Sequence, residues 1–237
     1  KSPPEATELQ EASSEIFDMR NLRKAGFLTV PYTVNKKARM KQLLSRGAAG
    51  MITDRPDRLY QVLKKRHKKK KGDYLDAQGL VDPGKFLAIG HRGARGLLPE
   101  NTLPSIEKAL DHLMNTIEID VSITADSVAV INHDLSFSSQ KCRRADLKPY
   151  EPQDEEWIFD MTSRFIVSQI ICDKEITKEK RRKPPKVSDF FAGTEGMPSA
   201  YSVITLYQLL QFVEPLHTPG RHLRLPEPRW RRCTSRR

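Results

Sequence analysis

Phe86-Leu87-Ala88-Ile89-Gly90-His91-Arg92-Gly93, Pro99-Glu100-Asn101-Thr102, Thr116-Ile117-Glu118-Ile119-Asp120 and Val128-Ala129-Val130-Ile131-Asn132-His133-Asp134 are the stretches on which the fold turns. Each sets a polar cluster at the edge of an apolar run, as in a site built from strand ends. Phe86 to Ile89 is a short apolar run ended by Gly90, so His91 and Arg92 fall just past the carboxyl end of a buried strand. From Thr116 to Ile123 the residues alternate: Ile117, Ile119, Val121 and Ile123 face one way, and Glu118, Asp120 and Ser122 the other. Two carboxylates on one face cost about 2–3 kcal/mol or more each if buried unpaired, so they call for a cation, and a hard divalent metal ion answers that need. Between these strands Leu103, Ile106, Ala109, Leu110 and Leu113 recur at helical spacing, with Asn101 or Thr102 placed to cap. Strand, helix, strand with polar strand ends predicts an α/β fold, a βα barrel or related parallel sheet.

The string His91-Arg92-Gly93, Pro99-Glu100-Asn101-Thr102, Glu118-x-Asp120 and His133-Asp134 resembles the amino-terminal half of the glycerophosphodiester phosphodiesterase family, of the phospholipase C-like phosphodiesterase superfamily. The resemblance implies a TIM (β/α)8 barrel, incomplete in this chain. It also implies metal-dependent cleavage of a glycerophosphodiester into glycerol 3-phosphate and an alcohol. By position it makes His91 and His133 the general acid and base, gives the phosphate to Arg92, and assigns a divalent ion, Mg2+ or Ca2+, to Glu118 and Asp120. Histidine, with an ordinary pKa near ~6.5, suits both proton roles, while a metal and an arginine neutralise charge on phosphoryl oxygens. Two positions depart from the pattern: Ser127 stands where a turn glycine is expected, and Leu113-Met114-Asn115 lacks the glycine that follows the first helix. Both should cost stability, since glycine takes positive φ without strain.

The earlier part of the chain resembles the other end of the same family. Phe27 to Val34 is rich in β-formers, Lys36 to Arg46 places Met40, Leu43 and Leu44 at helical spacing, Gly50-Met51-Ile52-Thr53 reads as a strand and Asp57 to Leu63 as a helix. Pro31-Tyr32-Thr33-Val34-Asn35 is similar to the family's seventh strand and loop, and Gly47 to Pro56 to its eighth. The expected organisation is therefore closing βα units over 1–63, a basic linker over 64–85, the opening half of a barrel over 86–217 with an insertion at about 135–200, and a basic tail over 218–237. A piece joining the end of one barrel to the start of the next, or an imperfect gene model, accounts for that order better than a circular permutation, because the middle strands are missing. Leu135 to Lys186 carries few packing signals, Val203 to Val213 resembles the third helix, and no fourth strand with a third metal-binding glutamate follows Pro215.

The net charge of +11 is smaller than the charge carried by two stretches alone, Lys64 to Lys71 and the arginine-rich Thr218 to Arg237. The basic balance is thus a property of linkers, without the aromatic interleaving or amphipathic face of a nucleic-acid or lipid grip, and no nucleic-acid partner is expected. No run of 18 apolar residues suggests a membrane span. Cys142, Cys172 and Cys233 are three with no metal spacing; reduced thiols are the simplest reading, with a Cys142–Cys172 disulfide as the alternative. Hydrolysis of a small glycerophosphodiester is the leading expectation. A lysophospholipase D activity is its near variant, and its rival is a non-catalytic remnant acting as an interaction module, which binds a partner chain or supplies strands to one, with self-association through open sheet edges as a further expectation. Glu118 and Asp120 could instead pair with Arg92 in a structural network, and Glu100-Asn101-Thr102 could be only a helix entry.

Overall fold

The computed structural model describes residues 19–69, 74–146, 156–174 and 197–213. The amino-terminal tail, the end of the basic run, much of the insertion, Cys233 and the arginine-rich tail lie outside the described residues. The chain is mixed α/β with partial sheets and divides into two compact units, 1–89 with 113–116, and 90–112 with 117–237.

The first unit contains α1 (Met19–Lys24), α2 (Lys37–Ser45), β1 (Gly50–Thr53), α3 (Pro56–Lys69) and the start of β2 (Leu87–His91). Phe27 to Val34 forms no regular strand, yet it lies alongside β1 in parallel: Ala49 N–H donates to Thr29 O, Ile52 N–H to Pro31 O and Val34 N–H to Ile52 O. Pro31 itself has no N–H to add to a ladder. Met40, Leu43 and Leu44 of α2 and Leu59, Val62 and Leu63 of α3 are buried at 3.6-residue spacing, as the periodicity requires. The helix expected to stop at Leu63 continues to Lys69, so five lysines and arginines of the basic run are helical. What was read as linker also packs: Leu75 and Val81 are buried and bridged, and the Tyr74 ring meets Phe86 edge-on at 5.2 Å.

The second unit runs from the end of β2 through α4 (Leu103–Asp111), then from β3 (Thr116–Glu118) through β4 (Val121–Ile123), β5 (Ala129–Ile131), β6 (Ser136–Phe137), β7 (Arg143–Arg144), β8 (Glu156–Trp157), a 3-10 turn at Ile158–Asp160, α5 (Ser163–Gln169), β9 (Ile170–Ile171) and α6 (Leu206–Val213). Thr102 is the N-cap of α4, but its hydroxyl donates to Pro99 O at 2.7 Å instead of accepting from the helix. At the other end Leu113 takes φ +59, the left-handed position where glycine was expected, and Ser127 takes φ +61 in the β4–β5 turn. Thr205 and Gln208 cap α6 reciprocally, Gln208 N–H donating to the Thr205 hydroxyl and Thr205 N–H to Gln208 Oε1.

Three expectations change here. The single strand read from Thr116 to Ile123 breaks at Ile119–Asp120, and β4 turns to pair with β5 antiparallel, Val121 opposite Ile131, so the third apolar run closes a hairpin and adds no parallel strand. Alternation persists in β4 with its sense inverted: Ser122 is buried while Val121 and Ile123 are exposed. The insertion, poor in packing signals, contributes Phe137, Cys142, Ile158, Ile166, Ile170 and Cys172 to a core that Val203, just beyond it, completes. Val130 enters this core while its neighbour Ile131 enters a second one with Leu103, Ile106, Ile204, Leu209 and Phe212, because successive strand residues face opposite ways. Within the first core Cys142 and Cys172 form a disulfide, which overturns the reading of reduced thiols.

Candidate active site

β2 ends at His91, and the chain turns sharply there. Arg92 has φ +51, a left-handed conformation that costs a non-glycine residue about 1–2 kcal/mol. The turn is held from several sides: Arg92 O accepts from Asn101 N–H at 3.0 Å and from the Ser105 hydroxyl at 3.2 Å, and that hydroxyl oxygen accepts from Ala94 N–H. The result is that Arg92 addresses three carboxylates. Its backbone N–H donates to Glu118 Oε2 at 3.0 Å, its Nη1 to Glu100 Oε1 at 2.8 Å, and its Nε lies 3.0 Å from Asp120 Oδ2, off the line of a hydrogen bond. Asn101, also left-handed at φ +56, donates from Nδ2 to the same Asp120 Oδ2 at 3.1 Å. His91 Nε2 stands 3.8 Å from Glu118 Oε2. His91, Arg92, Glu118 and Asp120 therefore form one contiguous cluster.

His133 is joined to the cluster by a relay. Its Nδ1 meets Asp134 Oδ1 at 2.7 Å, Lys141 Nζ donates to Asp134 Oδ2 at 2.6 Å and to Glu100 Oε1 at 3.0 Å, and Glu100 holds Arg92. The backbone assists, since Asn132 N–H donates to Asp120 O at 3.2 Å and Asn132 Nδ2 to Asp134 O at 2.7 Å. Glu100 is the hub: its carboxylate is 8% exposed and gathers Arg92, Lys141 and, at 3.3 Å, Arg95. Burial alone pushes Asp134 upward, but hydrogen bonds from Lys141 and His133 outweigh it and hold the carboxyl below its ordinary value. For Lys141, burial pulls down while Asp134 and Glu100 raise it, and the ammonium ends above the ordinary lysine range.

Glu100, Lys141, Asp134 and Asn101 escaped assignment from the sequence. Glu100 and Asn101 are legible equally as a helix entry or a substrate contact, and Asp134 adjoins His133. Lys141 carried no signal at all, being one lysine among many, 41 residues from its partner Glu100. The network alternative weighed for Glu118 and Asp120 also has substance: both carboxylates touch Arg92. As hard oxygen donors the two fit a divalent cation, but among the described residues no group of three His, Cys, Asp or Glu side chains forms that could hold one.

The chain is similar to a family of known proteins. The model of the glycerophosphoryl diester phosphodiesterase family matches residues 8–58 and 91–213. The glycerophosphocholine phosphodiesterase GPCPD1 of Mus musculus is 28% identical over 129 residues, covering 50% of this chain and 19% of that protein. The glycerophosphodiester phosphodiesterase domain-containing protein 4 of Macaca fascicularis is 38% identical over 124 residues with the same coverage. Among solved structures, a glycerophosphodiester phosphodiesterase from Agrobacterium tumefaciens aligns with TM-score 0.37 at 20% identity, covering 54% of this chain and 42% of that one. The chain spans about a fifth of the length of the curated relatives it matches. Its mixed α/β organisation with partial sheets is that of an incomplete barrel of the TIM type. Matched by the family model over two segments that make up most of its length, the chain belongs to the glycerophosphoryl diester phosphodiesterase family.

Proposed function

We propose that the chain carries the catalytic half of a metal-dependent glycerophosphodiesterase, which releases glycerol 3-phosphate and an alcohol. The observation that supports this reading is the convergence of His91, Arg92, Glu118 and Asp120 within one cluster, with His133 tied in through Asp134, Lys141 and Glu100. Glu118 and Asp120 are the residues that would hold a divalent ion, and when bound it supplies Lewis-acid neutralisation of the phosphoryl charge. Arg92 meets the phosphate with a guanidinium already oriented by Glu100. Asp134, accepting from Nδ1 of His133, fixes the tautomer that leaves Nε2 to take the proton of water or of the neighbouring glycerol hydroxyl. His91, on the strand end beside Glu118, then gives the proton to the departing alkoxide. In the same reading residues 1–63 are closing βα units and 86–217 an opening half, with 64–85 between them; the separate family matches over 8–58 and 91–213 support that division.

The test is release of glycerol 3-phosphate from glycerophosphocholine by the purified chain with Mg2+, with Ca2+ and with EDTA. Metal-dependent release that is lost in His91→Ala and in His133→Ala supports the reading; release unaffected by EDTA, or retained in both variants, overturns it. A lysophospholipase D activity is the second reading, favoured by Val121 and Ile123, exposed directly after Asp120. Substrates that differ only in acyl chain length separate the two.

A further inference from the structure

Residues 19–69 contain fifteen lysines and arginines against two aspartates and no glutamate. Both aspartates are engaged, Asp57 by Arg55 at 2.7 Å and Asp54 by Asn35 at 2.7 Å. The charge is also placed. β1 and the segment Thr29–Val34 run in parallel, so both begin at one end of the unit. At that end Ser45 closes α2, and Arg20 of α1 donates to its carbonyl. α3 leaves the opposite end of β1 and, at about 21 Å for fourteen residues against about 13 Å for the four of the strand, returns past the strand's start. Arg23, Lys24, Arg46, Lys65, Lys68 and Lys69, all exposed, thus gather at one end of the first unit. On α3 the arrangement is amphipathic: Lys64 and Lys68, at i and i+4, occupy the arc opposite the buried Leu59, Val62 and Leu63, Lys65 flanks them, and Lys69 stands exposed at the helix end.

Phe27 and Leu28, in the link that leads from α1 to Thr29, stand at this same end and are 65% and 66% exposed. Large apolar side chains flanked by exposed cations are the elements of an interfacial membrane contact, in which the cations meet anionic headgroups and the apolar pair enters the acyl boundary. A nucleic acid would ask for rings on which bases stack. Beside the basic helix Tyr60 lies under Lys64 at 6.0 Å and Tyr74 under Arg66 at 5.7 Å, and of the exposed apolar pair Phe27 is a single ring while Leu28 offers no π-face, too little for successive bases to stack on.

We propose that the cationic end of the first unit, α1 and the last two turns of α3 with Phe27 and Leu28 between them, docks on an anionic lipid bilayer. The contact uses no residue of the candidate active site, whose residues all belong to the second unit.

The experiment is flotation of the full chain with vesicles of phosphatidylcholine alone and with about one-third phosphatidylserine, at low and high salt. Binding is expected on the anionic vesicles, weakening as salt rises. Each lysine removed should weaken it about fivefold, so Lys64→Gln/Lys65→Gln/Lys68→Gln/Lys69→Gln should lose more than about 100-fold. Phe27→Ser/Leu28→Ser should cost about tenfold or more in the binding that survives high salt. Both variants change exposed side chains, and circular dichroism verifies that they fold. Equal partition onto neutral vesicles overturns the proposal. So does an unchanged quadruple variant, which would move the binding to arginines elsewhere, or displacement by single-stranded RNA that is indifferent to Phe27→Ser/Leu28→Ser.

Discussion

Replacing Glu100 by Gln keeps the size and one acceptor of the side chain while removing its charge, so it tests whether the hub of the ion network stabilises the second unit. Glu100 is 8% exposed, with Arg92 on it at 2.8 Å and 11% exposed, Lys141 at 3.0 Å and 30% exposed, and Arg95 at 3.3 Å and 34% exposed. Breaking a fully buried pair by removing one partner costs about 3–5 kcal/mol. Here Lys141 and Arg95 keep contact with water, and Arg92 and Lys141 retain Asp120 and Asp134, so the loss discounts to about 2–3 kcal/mol. With a urea dependence of ~2 kcal/mol per molar, the unfolding midpoint should fall by about 1 M or slightly more. Urea titration followed by circular dichroism reads it, and a cycle with Lys141→Met should return a coupling of at least ~1 kcal/mol. A loss below about 0.5 kcal/mol, the value of an exposed pair, would refute the claim that this cluster is a desolvated network.

Three further outcomes are expected. Cys142→Ser with Cys172→Ser opens a bridge of sequence separation 30 and should cost about 3–4 kcal/mol by loop-closure entropy; a thermal melt unchanged by the substitutions and by reductant would contradict the pairing. Ser127→Gly relieves a left-handed residue on an exposed turn and should stabilise by up to ~1 kcal/mol in the same urea assay, whereas a destabilised variant would argue against a positive φ there. For Lys141→Met, the deficit relative to wild type should be greatest between about pH 5 and pH 9. Asp134 is held below its unfolded value near ~3.9, so its share is present above that pH and lost as pH falls through the folded value; Lys141 is raised above ~10.4, so its share is lost as pH rises through the folded value. A deficit that does not change from pH 3 to pH 11 would remove Lys141 from the electrostatic account.

Local signals proved readable where one residue's neighbours in sequence are its neighbours in space. β2 and α4 follow from an apolar run, a glycine and helical spacing, and the left-handed positions at Leu113 and Ser127 follow from missing glycines. Alternation from Thr116 to Ile123 conveyed which side chains share a face but not which face is covered. Cover is decided by a partner strand, and β5 is supplied by a hairpin that buries Ser122 and leaves Ile123 outside. The insertion core was invisible for a related reason: β6, β7, β8 and β9 are two residues each, too short for any periodicity, and their core closes through a cystine and α5. In the candidate site, motif residues were legible because each stands at a strand end. Glu100 and Lys141 matter through charge shared across 41 residues, a relation that neither position reveals alone.

At Gly93 (φ +84) an added Cβ would sit 2.6 Å from the Ser105 carbonyl carbon and 2.8 Å from Ile106 N, and at Gly90 one would sit 2.5 Å from Gly93 O. These are main-chain collisions, which no rotamer change relieves. Under the proposed function, a mutational screen scored on turnover would therefore rank both glycines with the histidine and arginine they enclose. Only a parallel screen scored on the amount of folded protein would separate them, reporting the glycines as spacers that set how closely α4 approaches the strand, the histidine as a residue whose loss leaves the fold in place, and the arginine as one that also holds the buried Glu100.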